Sequence, residues 1–360
     1  MAATVREALP ALTRSADEGD HLELRRTSVA YDFKTADEYM HPPTSDAHFN
    51  ESVYSNAFDI KSGVGGWMRL GNRVNEKYAE LSVCLYLPDG RIACQFQRPA
   101  ISSNDCFNAG GLQYRVEEPT KKITMTYKGE LLLLNDPELL RDPKRMFDAA
   151  QRVPGYVHFV QTADSPIHGG VPTTPDHEPM YGHQFSLGHF NQHTRAAGEI
   201  TCDGQTFAID GFGWRDHSWG PRLWQNIHYY RLFIANLGSG RGLMLLKITD
   251  ATRRTRRLGV LLVDGQYEEV EEFDLLTDWN ERKDPRVVRI GVRTANRSEV
   301  ITGEIMSLAP LRNRRKIDGR EVVSRIAEGQ TRFTWGDVVG YGMTEYIERF
   351  DGDRLVGYPL

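Results

Sequence analysis

From Tyr78 to Phe96 the sequence alternates so strictly that a β-hairpin is the one local structure that satisfies it. Leu81, Val83, Leu85 and Leu87 fall on one face and Glu80, Ser82, Cys84 and Tyr86 on the other, the two-residue period of a strand with one apolar face. Pro88-Asp89-Gly90 supplies a tight turn, after which Ile92, Cys94 and Phe96 resume the alternation. The device recurs: Asp203-Gly204 separates Glu199-Ile200-Thr201-Cys202 from Thr206-Phe207-Ala208-Ile209, and Asp264-Gly265 separates Leu258 to Val263 from Tyr267 to Val270. Many short strands joined by glycine turns predict an all-β, mainly antiparallel fold, closed into barrels or stacked as sandwiches, because both arrangements hide strand edges. Residues 135 to 151 are the clearest helical interruption. Asp136-Pro137 and Asp142-Pro143 each set a capping Asp before a Pro, which predicts two short consecutive helices.

A chain of 360 residues is long enough for two domains at roughly 150 residues each. Residues 1–45 are polar and without sustained periodicity, so they read as an N-terminal arm that carries no chemistry. The stretch from His158 to His189 is rich in Pro, Gly and Thr and holds the expected junction, giving domains at 46–190 and 191–360.

The formal net charge of -5 is small and the charges are interspersed, which excludes a basic nucleic-acid-binding stripe. Four cysteines without a C-x-x-C spacing predict reduced thiols. Arg6, Glu7 and Arg14 interrupt any signal-peptide core, and no run approaches the roughly 20 apolar residues of a membrane span. The expectation is a soluble cytoplasmic protein with no membrane span, a small hydrophobic molecule as its partner, and homo-oligomerisation left open.

The segment Gly211-Phe212-Gly213-Trp214-Arg215-Asp216-His217-Ser218-Trp219-Gly220-Pro221-Arg222 is the most unusual of the chain. If it is extended, Arg215, His217 and Trp219 share one face, and Trp214, Asp216 and Ser218 the other. His217 can then move protons near neutral pH, Trp219 can stabilise a carbocation through its ring face, and Asp216 can orient an imidazole if the chain turns. The plainer reading is an Arg215–Asp216 ion pair at a strand corner between two core tryptophans, with His217 merely hydrogen-bonded.

This segment resembles the carotenoid 1,2-hydratase and AttH-like superfamily, in which a Gly-x-Gly-Trp/x-x-Asp-His-x-Trp-Gly signature opens the second of two lipocalin-like halves. The subgroup it is most similar to adds a Glu-Ser-x-Tyr-x-Asn region, here Glu51-Ser52-Val53-Tyr54-Ser55-Asn56, and a Gly-x-Gly-x-x-Glu region, here Gly340-Tyr341-Gly342-Met343-Thr344-Glu345. The resemblance implies two lipocalin-like barrels around a hydrophobic ligand, with His217 and Trp219 at a site that protonates a polyene. It also implies a Tyr and an Asp on the following strand, but Gly242-Leu243-Met244-Leu245-Leu246-Lys247 has neither. Related members act as cyclases or isomerases, where positioning supplies much of the rate.

His183, His189 and His193 offer metal-ligand atoms, but the four-residue spacing needs a helix and Phe190-Asn191-Gln192 carries no zincin Glu, so no metal is expected and polar pocket lining or interface hydrogen bonding is the plainer role. Glu345, beside Tyr341 and Tyr346, is either a surface carboxylate or a proton donor with a raised pKa. Tyr229 and Tyr230 serve a ligand or a core. The combined expectation is a cofactor-independent hydratase, dehydratase, isomerase or cyclase for a terpenoid-, steroid- or polyene-like molecule bound at the domain interface. His217, Trp219 and Asp216 are its catalytic residues, Arg215, Trp214, Tyr229, Tyr54 and Glu345 bind substrate, and Arg222 supports them. The alternatives are a hydrophobic-ligand carrier and a metal-dependent oxidoreductase using the histidine group.

Overall fold

The computed structural model describes residues 30–357 apart from Asp318 and Asp353. Strand accounts for 66% and helix for 7%, which leaves helices only a covering role. Eight antiparallel strands, Phe49–Asp59, Gly65–Arg73, Tyr78–Tyr86, Ile92–Gln97, Lys122–Leu134, Gln151–Ala163, Gly188–Cys202 and Gln205–Pro221, pair each with the next, and the last pairs back to the first through Trp219↔Glu51. A second ring runs through Ile227–Gly238, Arg241–Asp250, Thr255–Val263, Gln266–Trp279, Pro285–Thr294, Ser298–Ile317, Arg320–Trp335 and Val338–Asp351, and closes through Tyr230↔Ile347. Closure removes the exposed edges. The fold is all-β, with two lipocalin-like domains.

The expected hairpins are present, and their turns show why. Asp203 and Gly204 have φ of 52° and 74°, and Asp264 and Gly265 have φ of 50° and 77°, the paired positive values that match a two-residue turn to the twist of its strands. Residues 135–151 contain a 3-10 turn at Pro137–Arg141 and an α-helix at Pro143–Ala149, with the Asp136 and Asp142 carboxylates accepting from the backbone N–H of Glu138 and Arg145.

Sheet membership changes later than the sequence suggests. The expected division at 190/191 falls inside Gly188–Cys202, and this strand and Gln205–Pro221 both hydrogen-bond into the first barrel. The chain crosses over residues 222–226. The signature segment therefore closes the first barrel rather than opening the second, because its partner is Phe49–Asp59.

Three apolar layers follow from the period of two. Leu81, Val83 and Leu85 fill the first barrel and Phe233, Leu245 and Phe333 the second, while Phe58, Trp67, Tyr86, Tyr230, Ile234, Met244 and Ile347 form a third cluster between them. On Tyr78–Tyr86 the face opposite the barrel core is not solvated throughout: Cys84 and Tyr86 pack into the middle layer. Hydrogen bonds cross it as well: the Tyr86 hydroxyl donates to the Glu328 carbonyl (2.9 Å) and Asn236 Nδ2 to the Thr194 carbonyl (3.1 Å).

Residues 1–29 of the expected arm lie outside the described residues. The rest of it is built into the fold: Tyr31–Asp32 pairs with Val171 and Pro172, and Glu38, at the end of a 3-10 turn, is 1% exposed. Among the described residues no helix is long and apolar enough to cross a membrane.

Candidate active site

A cavity of about 800 Å³ lies between the two barrels, within the size range of small-molecule sites. The first barrel contributes Tyr54 and Trp67 and, from the signature strand, Asp216 and Ser218; the second contributes Tyr230, Leu232, Ile234, Glu328 and Glu345. Leu140 and Met146 of the helical pair close one side, and the exposed Lys144, Arg98 and Arg314 form part of its rim. Its wall is the outward face of strands whose inward faces make the barrel cores.

The second-barrel wall carries two carboxyl groups face to face. Glu328 and Glu345 are directly opposite on the neighbouring strands Arg320–Trp335 and Val338–Asp351. Burial raises the pKa of both; the charge of Glu345 and a hydrogen bond with it raise Glu328 further, while at Glu345 the charge of Asp216 adds to the rise and the hydrogen bond with Glu328 opposes it. Two like charges at this separation in an apolar wall do not both ionise, so the pair retains a proton near neutrality.

The first-barrel wall carries the complementary group. His189, 3% exposed, lies with Nε2 3.6 Å from the Asp216 carboxylate, and its ring stacks on Tyr181 at 4.2 Å and 5°. Burial lowers its pKa, outweighing the opposite pull of Asp216, so the imidazole is neutral and able to accept a proton. Both of its ring nitrogens are buried without a hydrogen-bond partner in the protein, an arrangement that a bound polar group or water relieves. An acid kept protonated and a base kept neutral by their surroundings are the two halves of proton-transfer catalysis.

The signature strand presents the expected two faces, but with the roles exchanged. Trp214, Asp216 and Ser218 turn toward the second barrel, while Arg215, His217 and Trp219 turn into the first barrel and its plugged end. His217 is fully buried, with Nε2 3.0 Å from Glu51 Oε1. Trp219 stacks on His41 at 3.7 Å and 12°, and Arg215 makes a two-pronged ion pair with Glu38, both contacts 2.7 Å. None of the three, expected as catalytic or substrate-binding, lines the cavity. The Arg215–Asp216 ion pair is also absent among the described residues, because alternation sends the two side chains apart.

Of the other expected site residues, Tyr54 and Glu345 line the cavity. Trp214 lies behind its wall, edge-on to His193 at 4.7 Å. Tyr229 is on the inward face of the second barrel, under Arg231 at 4.2 Å, and its neighbour Tyr230 takes the cavity position. A shift of one residue reverses the face.

The histidines expected as an alternative metal group do not converge. His183 is exposed, and His193 Nδ1 is 2.9 Å from the Tyr267 hydroxyl, with Nε2 3.2 Å from the Leu243 carbonyl. The group with metal-ligand spacing among the described residues is His41, Glu51 and His217. There Glu51 receives the His41 backbone N–H at 3.0 Å, His41 Nδ1 at 2.7 Å, His217 Nε2 and Asn104 Nδ2 at 2.5 Å. With both carboxylate oxygens occupied by donors, this geometry is that of a buried hydrogen-bonded anion.

Residues 34–349 match a single family described as a domain of unknown function, DUF7064. The chain belongs to this family. No curated protein matches the sequence. Among solved structures, the DUF7064 fold is similar to an AttH-like protein from Nitrosomonas europaea (14% identity, 88% of this chain and 96% of that one, TM-score 0.55). It is also similar to CghA solved with Sch210972 (12% identity, 85% and 90% covered, TM-score 0.54). The likeness is one of fold.

Glu328 was invisible to motif reasoning, since an isolated Glu in Arg325-Ile326-Ala327-Glu328 reads as a solvated strand residue. His189 is legible only as one of three histidines suited to a metal or, more plainly, to polar pocket lining or interface hydrogen bonding. The signal that finds both is parity combined with pairing: Glu345 opposes Glu328 on one side and Leu232 on the other.

Proposed function

We propose that this DUF7064 chain is an enzyme that uses its own side chains as acid and base on a hydrophobic terpenoid-, steroid- or polyene-like molecule held between the two barrels. The observation that carries the reading is the half-buried Glu328–Glu345 pair facing a largely apolar cavity of about 800 Å³. The neutral Glu345 carboxyl, with Glu328 sharing its proton, donates to one carbon of a double bond, and the aromatic rings of Tyr54, Trp67, Tyr181 and Tyr230 surround the cation that develops. Loss of a proton from an adjacent carbon to His189 completes an isomerisation. Addition of water, whose second proton passes to His189, completes a hydration. Asp216 stabilises the imidazolium in either case. Hydratases, isomerases and cyclases differ here only in what quenches the cation.

Native mass spectrometry and solvent extraction of the purified protein are expected to yield an apolar metabolite, and Ile234→Trp, which fills the cavity, is expected to abolish its retention. Incubating that metabolite with the wild type in D2O is expected to give deuterium incorporation or a new product, lost in Glu345→Gln while binding persists. Recovery of the metabolite unchanged and undeuterated would mark the protein as a carrier and end the catalytic reading. Retention unaffected by Ile234→Trp would remove the cavity from consideration.

A further inference from the structure

At the first-barrel end of the cavity one buried cation has no carboxylate in contact. Arg222 is 6% exposed and lines the cavity. Its Nε donates to the Phe185 carbonyl (3.0 Å) and its Nη2 to the Ser218 hydroxyl (2.6 Å), and its guanidinium stacks over Phe185 at 3.9 Å. No carboxylate lies within ion-pair distance of it among the described residues, and Nη1 has no partner there. The neighbouring cations are already committed: Arg69 pairs with Glu80 (3.3 Å), and Arg73 with Glu80 (3.0 Å) and Glu76 (2.8 Å). Glu80 and Glu76 are thus taken by Arg69 and Arg73, and Asp216 and Glu80 act on Arg222 only from beyond contact. Burial first, then the charge of Arg69, depresses the Arg222 pKa, with Asp216 and Glu80 opposing and Arg73 adding to the fall. A buried cation without a counterion is costly, and this one is held in place by two hydrogen bonds and an aromatic face with one donor left over.

We infer that the cavity's occupant is an apolar acid, whose carboxylate pairs with Arg222 while its hydrocarbon body extends along Tyr230, Leu232 and Ile234 toward the Glu328–Glu345 pair. The inference rests on the reading of the inter-barrel cavity as the ligand site and adds the chemical class of what it takes. A carboxylate replaces the missing counterion, and the fork of Arg222 suits its planar geometry. The same contact sets orientation, since it anchors one end of the molecule and leaves the other at the acid pair.

The test uses the full-length protein with cis-parinaric acid, a fluorescent polyene fatty acid, and its methyl ester, which shares the hydrocarbon body but lacks the charge. Near neutral pH the wild type is expected to bind the acid at least about tenfold more tightly than the ester. In Arg222→Gln that preference is expected to collapse to within about twofold, with ester binding retained, while Arg222→Lys recovers part of it. An unchanged acid-to-ester ratio in Arg222→Gln overturns the inference. If that variant does not fold, the Nε resonance of Arg222 in the wild type replaces it: a shift with the acid but not the ester supports the contact, and identical responses overturn it. Ile234→Trp separates the two levels. Loss of both probes keeps the cavity as the site whatever Arg222 does, whereas binding of both probes untouched by Ile234→Trp refutes the cavity itself.

Discussion

Glu51 is fully buried and Glu345 half-buried in the cavity wall, and their surroundings drive the two carboxyl groups in opposite directions. At Glu51 burial alone would raise the pKa, but hydrogen bonds from His217 and His41 outweigh it and hold the group at about 2. Its stabilising contribution is therefore complete above the unfolded value near 4.5 and is lost as pH falls toward 2. A displacement of this size corresponds to about 3 kcal/mol. Glu51→Gln is expected to lower stability by a few kcal/mol at neutral pH and to flatten the acid limb of the unfolding curve; a variant with the wild-type acid limb would dissociate Glu51 from that stability. For the Glu328–Glu345 pair the pKa is raised, so stability is complete below about 4.5 and declines as pH rises through the raised value. Glu345→Gln should thus gain on the wild type by about 1 kcal/mol or more between pH of about 5 and about 8. Urea denaturation at both pH values measures this, and an equal difference at both would mean that the pair ionises freely.

Strand alternation makes neighbouring residues answer to different environments. Tyr229 and Tyr230 are chemically identical and both 5% exposed, yet one packs under Arg231 inside the second barrel and the other faces the cavity. Tyr230→Ala is expected to weaken parinaric acid binding with a modest loss of stability. Tyr229→Ala is expected to cost about 3 kcal/mol as a core truncation and to leave probe binding intact, and the reverse pattern would show that the register assigned to Ile227–Gly238 is off by one. Turns follow a different rule, because there the backbone decides. Gly265 has φ of 77° and open space where a Cβ would stand, so Gly265→Ala should cost about 1 kcal/mol from conformation alone, measurable by thermal unfolding. The Asp-Gly hairpins were legible in the sequence for this reason: a two-residue turn with paired positive φ admits few residue types.

The two barrels share one apolar layer and touch backbone to ring, so they are expected to unfold as a unit. A Cβ on Gly63 would stand 2.8 Å from the Tyr341 ring, and Gln330 reaches across to donate to the Gly63 carbonyl. Circular dichroism and tryptophan fluorescence are expected to give one coincident urea transition; two separated transitions would mean that the middle layer contributes little. At this scale the sequence alone determined the all-β class, the hairpins, the helical pair at 135–151 and the two faces of the signature strand, since alternation, capping and turn chemistry act between residues a few positions apart. It did not determine which face of that strand meets a ligand. His217 and Trp219 carry the more suggestive chemistry, but their face is enclosed by its own barrel and plugged by Glu38 and His41, while the plainer Asp216 and Ser218 face a second barrel. Nor could it join Glu345 to Glu328 and Leu232, or leave Arg222 without a counterion, because barrel closure and barrel-to-barrel packing bring together residues that local sequence keeps apart. Periodicity fixes that a strand has two environments; only the surface packed against each face decides which environment becomes core and which becomes site.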